Sequence, residues 1–256
     1  MIKITHLKAF NDNYIWLIIR NHDLVIVDPG QSPQVIEYIE NNTLNLCAIL
    51  LTHKHNDHIG GVADIVTKYA VPVYGPDEVA TIKIENEDNI VLHCGLVFQI
   101  ISTPGHTAEG ISYLLTDTTD ESQQYLFCGD TLFAAGCGRV FTQDYPLMYA
   151  SLNKLKKLSS NTLIYPGHEY TLKNLEFATY IEPENQKIPQ RIITEKQKIS
   201  DDGISLPSSL AIELQTNPFL RCNQLEVINK INQLSSETIK NEVECFTRLR
   251  NLKDNF

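Results

Sequence analysis

The chain is short of basic residues: 21 Lys plus Arg stand against 31 Asp plus Glu, and the formal net charge is −10. A nucleic-acid partner needs a basic face that neutralises phosphates, and this composition could hardly supply one, so we expect none. Long apolar runs are also missing. The apolar stretch 14–19 is far too short to cross a bilayer, and we therefore expect no membrane partner.

Cysteine motifs are absent as well. The six cysteines are spread through apolar or turn segments without a Cys-x-x-Cys spacing, which is typical of buried free thiols in a reducing compartment. The start of the chain has no positively charged segment ahead of a long apolar core, so the sequence predicts no signal peptide. Both observations favour a cytoplasmic protein.

The chain has enough apolar residues to form a substantial core, with 256 residues of which 43% are hydrophobic. Strand-like runs dominate its first two thirds, at 14–19, 24–28, 47–52, 71–74, 96–102, 111–116, 125–128 and 162–165. They occur in clusters with helical segments such as 32–40 between them, which predicts an α/β sandwich. Beyond about residue 170 the spacing becomes helical at 172–180, 208–215, 225–234 and from 238, with 200–203 expected as a loop. This change predicts two domains.

The most informative segment is an apolar strand followed at once by potential metal ligands. Residues 47–52 have the pattern of a buried strand, and the next six residues are His-Lys-His-Asn-Asp-His. Imidazole and carboxylate groups are donors that first-row divalent metals accept. On a loop at a strand end, His53 and His55 can point the same way while Asp57 and His58 aim at a neighbouring point. This arrangement favours two adjacent metals over one, and the clustering argues against a polar loop with chance histidines.

Three later segments share one pattern: an apolar strand, a glycine turn and then a metal-competent residue. These residues are His106, Asp130 and His168. Taken alone, a histidine after Pro-Gly is more often a hydrogen-bonding residue than a ligand. Together with the earlier cluster, however, they supply seven ligands. Two metals need seven when a carboxylate bridges them and each keeps an open position for water.

The motif at 52–58, with the later His106, Asp130 and His168, resembles the metallo-β-lactamase superfamily. Within it, the chain resembles the hydroxyacylglutathione hydrolase (glyoxalase II) family. The strings that carry this resemblance are AFNDNYIW at 9–16, FCGDTLF at 127–133, GCG at 136–138, YPGHEYT at 165–171, NPFLR at 217–221 and RNLKDNF at 250–256. The resemblance implies an αββα metallo-β-lactamase-like catalytic domain over residues 1–165 and a small all-α substrate-binding domain over residues 166–256.

The resemblance also implies a division of the ligands. His53, His55 and His106 would hold one metal, Asp57, His58 and His168 the other, and Asp130 would bridge the two. The implied cofactors are two divalent ions, expected to be zinc, with iron or manganese as alternatives because His and Asp accept all three. Asp57 and Asp130 are the implied catalytic residues, acting with a hydroxide held between the metals that attacks a thioester carbonyl.

The implied substrate contacts lie later in the chain. Arg139, Arg250 and Lys253 would hold the glycine carboxylate of glutathione, with Tyr170 as a hydrogen-bonding neighbour. Arg250 and Lys253 are one helical turn apart and can face the same way; without the resemblance they would be ordinary solvated charges. Two positions depart from the family pattern. Arg139 stands where some members have lysine, and Phe141 where some have a tyrosine that contacts glutathione, so we expect one hydroxyl contact to be lost.

Three further residues are expected to support this centre or the fold around it: Asp12, Asn13 and Asp28. The resemblance implies a hydrolase, expected to be monomeric, that converts S-(2-hydroxyacyl)glutathione, and specifically S-D-lactoylglutathione, to glutathione and D-lactate in methylglyoxal detoxification. The alternatives are an iron-dependent glutathione persulfide dioxygenase of the same superfamily and a non-catalytic metal-binding relic of the fold. The seven filled ligand positions argue against both, and the helical tail argues against the dioxygenase.

Overall fold

The computed structural model describes residues 2–76, 78–84, 88–117, 120–235 and 238–256. The chain forms two compact units. Unit one contains residues 1–103, 109–129 and 165–168, and unit two contains residues 104–108, 130–164 and 169–256. The predicted domain boundary between residues 165 and 166 stays a prediction.

The first sheet of unit one has six strands among the described residues, in the order of the chain. They are β1 (Ile2–Ala9), β2 (Asn13–Arg20), β3 (Asp23–Val27), β4 (Asn45–Leu50), β5 (Val73–Gly75) and β6 (Ile82–Lys83). The first three strands are antiparallel, whereas β3 to β6 run parallel. Nearly every residue of β3 and β4 is buried, which explains why they appear as continuous apolar runs.

Three helices follow the parallel strands: α1 (Pro33–Asn42), α2 (Asn56–Ile59) and α3 (Val62–Tyr69). Val35 and Ile39 of α1 are buried, and so are Val62 and Ile65 of α3. These pairs lie four and three residues apart, so each helix turns one apolar face inward. They join Leu17, Ile26 and Ile49 of the sheet in one hydrophobic core.

Unit one also contains four strands of the second sheet: β7 (Asn89–Val91), β8 (Val97–Ser102), β9 (Ile111–Asp117) and β10 (Asp120–Gly129). The end of β13 (Leu163–Pro166), which pairs beside β10, belongs to this unit as well. Hydrogen bonds within unit one connect these strands to the first sheet. Tyr113 Oη donates to Leu51 O at 2.9 Å, and Trp16 Nε1 donates to Pro166 O at 2.8 Å. The segments that follow β4 and β13 carry ligand-type residues, and these bonds hold Leu51, after β4, and Pro166, at the end of β13, within unit one.

Unit two is mainly helical. It contains β11 (Leu132–Phe133), β12 (Gly136–Cys137), α4 (Tyr145–Leu155), α5 (Thr171–Ile181), α6 (Lys187–Asp202), β14 (Ser208–Ser209), α7 (Leu210–Thr216), a 3-10 turn (Pro218–Leu220), α8 (Leu225–Leu234) and α9 (Glu242–Asp254). Its core includes Ala135, Leu175, Ala178 and Ile188. Within the described ranges, none of the helices is both long and apolar enough to cross a membrane.

The structure corrects three details of the sequence prediction. The prediction of a loop at 200–203 is wrong, because Ser200 to Asp202 form the last residues of α6. The helix ends at Gly203, which has a φ of 74°. Most of α6 also escaped prediction. Its Pro189 lies in the first turn, where a missing N–H breaks no intrahelical hydrogen bond. Strand β1 was missed because its residues are mostly half-buried and include two lysines.

Candidate metal centre

Three predicted ligands meet in unit one. Asp57 and His58 belong to α2, and His168 follows β13. Asp57 Oδ2 lies 3.5 Å from His58 Nε2 and 3.3 Å from His168 Nε2. One donor atom from each of the three residues lies within 4.8 Å of the others. A carboxylate and two imidazoles at this spacing fit a first-row divalent cation.

Asp28 orients His58 through a hydrogen bond to the far side of its ring. Asp28 Oδ2 lies 2.9 Å from His58 Nδ1 and accepts from Thr52 Oγ1 at 2.6 Å, while Oδ1 accepts from Thr52 N at 2.8 Å. All three residues are buried. Because a carboxylate accepts the Nδ1 proton, Nε2 keeps the lone pair that binds a metal.

Asp12, in the turn between β1 and β2, and Asn13, the first residue of β2, orient the other two members of this group. Asp12 Oδ1 lies 2.9 Å from His168 Nδ1, and Asn13 Nδ2 donates to Asp57 Oδ2 at 2.9 Å. A backbone hydrogen bond also holds these two segments together, because Tyr14 N donates to Gly167 O at 2.8 Å. These contacts favour a ligand-orienting role for Asp12 and Asn13 over a purely structural one.

His53 and His55 also lie together in unit one. His53 Nε2 is 3.0 Å from His55 Nδ1, and His53 Nδ1 is 3.0 Å from Thr52 Oγ1. His53 is buried and His55 is half-buried. The structure therefore brings five of the seven predicted ligands into one unit, all on segments that follow β4 or β13.

The remaining two ligands, His106 and Asp130, lie together in unit two. His106 Nε2 is 3.4 Å from Asp130 Oδ2, and His106 Nδ1 is 2.9 Å from the carbonyl oxygen of Arg139. A carbonyl can only accept, so Nδ1 carries the proton and Nε2 offers its lone pair on the side of Asp130. A side chain at Gly138 would place its Cβ 1.9 Å from Asp130 O, so the backbone here requires glycine.

The predicted carboxylate-binding residues also lie in unit two. Asp254 Oδ1 is 3.0 Å from Arg250 Nη2 and 3.6 Å from Arg139 Nε. Arg250 is only 4% exposed, and its Nη1 donates to Cys137 O at 2.8 Å. The Arg139 side chain, in contrast, is 67% exposed. An incoming carboxylate would therefore reach Arg139 without displacing buried protein contacts.

Lys253 lies on α9 with its ammonium above aromatic rings, 5.0 Å from the centroid of Phe177 and 5.3 Å from that of Phe256. Burial and, second, the charge of Arg250 lower the pKa of Lys253. Both effects disfavour the charged form. A carboxylate that binds beside Lys253 would oppose this shift.

The two aromatic residues of the predicted substrate set lie beside other aromatic or imidazole rings. The ring of Tyr170 is 5.1 Å from that of Phe133, and the ring of Phe141 is 5.2 Å from that of His106. Phe141 is 59% exposed. Sequence reasoning overlooked Asp254, although its i,i+4 spacing from Arg250 is a recognisable ion-pair pattern.

We expect Asp28→Asn to weaken divalent-metal binding by about 10- to 100-fold, the usual cost of losing a partner that orients a ligand. Asparagine tolerates the φ of 52° at this position. Its amide would donate to His58 Nδ1 and so move the ring proton to Nε2, which could then no longer bind the metal. Metal titration checks this result. Asp23→Asn, at the opposite end of β3, is the matched control; equal affinity of both variants would contradict the orienting role.

Comparison with known proteins agrees with these observations. Residues 10–117 match the metallo-beta-lactamase superfamily, and residues 169–256 match the family described as hydroxyacylglutathione hydrolase C-terminus. Among solved structures, the BLEG-1 B3 metallo-beta-lactamase superimposes with a TM-score of 0.63 at 24% identity, covering 86% of this chain and 99% of the other. This likeness confirms the predicted αββα metallo-β-lactamase fold, and the second match agrees with the helical C-terminal region.

Alignments with individual relatives extend over the full length of the chain. The hydroxyacylglutathione hydrolase of Nitrosomonas eutropha is 40% identical over 261 residues, and that of Yersinia enterocolitica is 42% identical over 261 residues. Each alignment covers 100% of both chains. With these identities along its entire length, the chain belongs to the hydroxyacylglutathione hydrolase family.

Proposed function

We propose that this protein hydrolyses the thioester bond of S-(2-hydroxyacyl)glutathione and releases glutathione and a 2-hydroxy acid. The observation that carries the proposal is the full-length identity of about 40% with proteins named hydroxyacylglutathione hydrolase. We further propose S-D-lactoylglutathione as the substrate and D-lactate as the product, formed in methylglyoxal detoxification by a monomeric cytoplasmic enzyme.

The proposed cofactors are two divalent ions. His53, His55 and His106 are assigned to one, Asp57, His58 and His168 to the other, and Asp130 to both. The donor types and the fixed Nδ1 contacts of His58, His106 and His168 support this assignment. Zinc is the expected metal, with iron or manganese as alternatives. When bound, such ions polarise a carbonyl oxygen and acidify a water molecule.

The protein contributes orientation to this chemistry. Asn13 fixes Asp57 Oδ2 at 2.9 Å, which limits rotation of the carboxylate that we assign to positioning the attacking water. Asp28 and Asp12 hold the Nδ1 protons of His58 and His168, so both Nε2 atoms keep their lone pairs. Pre-oriented groups of this kind need no rearrangement during the reaction.

The substrate carboxylate is assigned to Arg139, Arg250 and Lys253, with Tyr170 and Phe141 beside the glutathione moiety. The exposed guanidinium of Arg139 supports a direct contact. Buried Arg250 holds Cys137 O and Asp254, so it shapes this region as well as contributing charge. An acidic protein needs such a local group of cations to attract an anionic substrate.

We expect the double variant Arg139→Gln, Lys253→Gln to raise KM for a glutathione thioester by about tenfold, the lower end for lost hydrogen bonds to a charged group. The value of kcat should stay within about twofold, because the contacts are equally present in the ground and transition states. Steady-state kinetics checks this split. Lys240→Gln is the control for general loss of positive charge, and an unchanged KM in the double variant would contradict the carboxylate contact.

The experiment that tests the proposed function measures thiol release from S-D-lactoylglutathione by the metal-loaded protein. Oxygen consumption with a glutathione persulfide is followed in parallel, because a persulfide dioxygenase consumes oxygen whereas a thioester hydrolase does not. Thiol release without oxygen uptake supports the proposal. Oxygen uptake alone, or neither activity, overturns it.

A further inference from the structure

The hairpin formed by β11 and β12 lies in unit two between two residues of the proposed function. Only Thr131 separates Asp130 from the start of β11, and only Gly138 separates the end of β12 from Arg139. We propose that Glu213 is a positioning residue that fixes this hairpin and thereby the placement of Asp130 and Arg139. The proposal rests on the metal-binding role assigned to Asp130.

The turn of the hairpin has a backbone that needs support. Ala135 has φ of 55°, in the left-handed region that residues with a Cβ rarely adopt. Ala135 is also fully buried. Its N–H donates to Glu213 Oε2 at 2.8 Å. A charged acceptor makes a stronger hydrogen bond than a neutral one, so this bond offsets part of the conformational cost.

Glu213 is connected to the rest of the hairpin through Asn217. Asn217 Nδ2 donates to Glu213 Oε2 at 3.1 Å and to the carbonyl oxygens of Gly136 at 3.0 Å and Phe133 at 3.3 Å. Both Glu213 and Asn217 are 0% exposed. One buried carboxylate therefore binds the hairpin turn directly and holds the amide that binds its two sides.

Two more side chains from the helices complete the contacts to this hairpin. Asn174 Nδ2 donates to Ala134 O at 3.0 Å, and Arg250 Nη1 donates to Cys137 O at 2.8 Å. Side chains thus bind the N–H of Ala135 and the carbonyl oxygens of Phe133, Ala134, Gly136 and Cys137. The helices fix the position of the hairpin through directional bonds, in addition to apolar packing.

The other oxygen of Glu213 is bound by buried donors. Arg191 Nη2 and Ser208 Oγ both donate to Oε1, and Arg191 Nη1 donates to Thr216 Oγ1. Arg191 is 3% exposed. A buried carboxylate is stable only when its charge is paired and its lone pairs are satisfied, and these contacts provide both. The charge of Glu213 is therefore held at a fixed position behind the hairpin.

A shift of the hairpin would reach both of its ends. Gly138 N donates to Thr131 O at 3.3 Å and closes the base of the hairpin beside Asp130. The contact between Arg139 O and His106 Nδ1 connects the same base to a second proposed ligand. Because the base is this tightly packed, movement of the turn should displace Asp130 and Arg139 together.

The test compares Glu213→Gln with Glu182→Gln in the full-length protein. Glu182 is a matched control because it is also 0% exposed and ion-paired, but its carboxylate is bound by Arg221. We expect both variants to lower the melting temperature. Only Glu213→Gln should also weaken zinc binding by about tenfold, as for a lost ligand partner. It should raise KM by several fold as well.

Zinc affinity is measured by competition with a chelator, which does not depend on turnover. Should Glu213→Gln fail to fold, Asn217→Ser replaces it: the serine keeps an acceptor for Phe219 N but is too short to reach the hairpin carbonyls. Zinc affinity and KM equal to those of Glu182→Gln would overturn the positioning role while the hydrolase assignment stands. A wild-type protein that binds no zinc and releases no thiol would instead remove the proposed function on which this role rests.

Discussion

Asp130→Asn should lower kcat/KM for thioester hydrolysis by at least about a hundredfold. Losing a partner that merely orients a ligand already costs 10- to 100-fold, so losing the ligand itself should exceed that range. An amide carries no charge, so it would bind cations less strongly than the carboxylate that is assigned to both of them. Asp130 is buried beside His106, with 3.4 Å between Oδ2 and Nε2, so solvent is poorly placed to replace the lost group.

Metal content of this variant is measured together with its rate. We expect one of the two ions to be lost or weakly held. Asp201→Asn is the control, because Asp201 is an exposed aspartate on α6 that accepts from Gln197. If Asp130→Asn keeps both its metal content and its rate, the bridging assignment is wrong.

Gly30→Ala should lower the hydrolysis rate by about a hundredfold through displacement of Asp57. A Cβ at Gly30 would lie 1.9 Å from Asp57 O and 2.6 Å from Asp57 C. Since these are backbone atoms, side-chain rotation cannot relieve the overlap, and the backbone at Gly30 and Asp57 must separate by about 1 Å. A misplacement of this size can reduce a rate by about 10²-fold.

The control for this variant is Gly95→Ala, which also adds a methyl group in unit one. Gly95 is exposed with φ of 78°, and the nearest atom to the new Cβ is the flexible Arg20 Nη1 at 3.0 Å. Because alanine rarely adopts this positive φ, the change should lower the free energy of unfolding by about 1–2 kcal/mol. The rate of hydrolysis should stay unchanged. Equal rates for the two variants would show that the space beside Asp57 does not matter.

The ligand residues could be recognised from the sequence because each follows a buried strand within a few residues. His53, His55, Asp57 and His58 follow β4 directly, and His168 follows β13. Strand ends bring such residues to a sheet edge whatever the rest of the chain does. The structure accordingly places the ligands from β4 and β13 in one unit.

The sequence indicated Asp12, Asn13 and Asp28 as supporting residues, but it could not show which ligand each of them contacts. Asp28 contacts His58 across 30 residues, Asn13 contacts Asp57 across 44, and Glu213 contacts Ala135 across 78. Each contact depends on which elements pack together, and no local pattern encodes that. Most of α6, including Arg191, was missed for a related reason. Two of its three buried residues, Arg191 and Glu195, are charged, whereas sequence patterns detect mainly apolar faces.

The central claim is that these imidazoles and carboxylates hold divalent metal on which thioester hydrolysis depends. The most direct test measures metal content and thiol release from S-D-lactoylglutathione on one preparation, before chelation, after chelation and after titration with zinc. We predict two bound ions per chain, loss of hydrolysis when they are removed, and its return as they are restored. Full hydrolysis by a metal-free preparation would contradict the account.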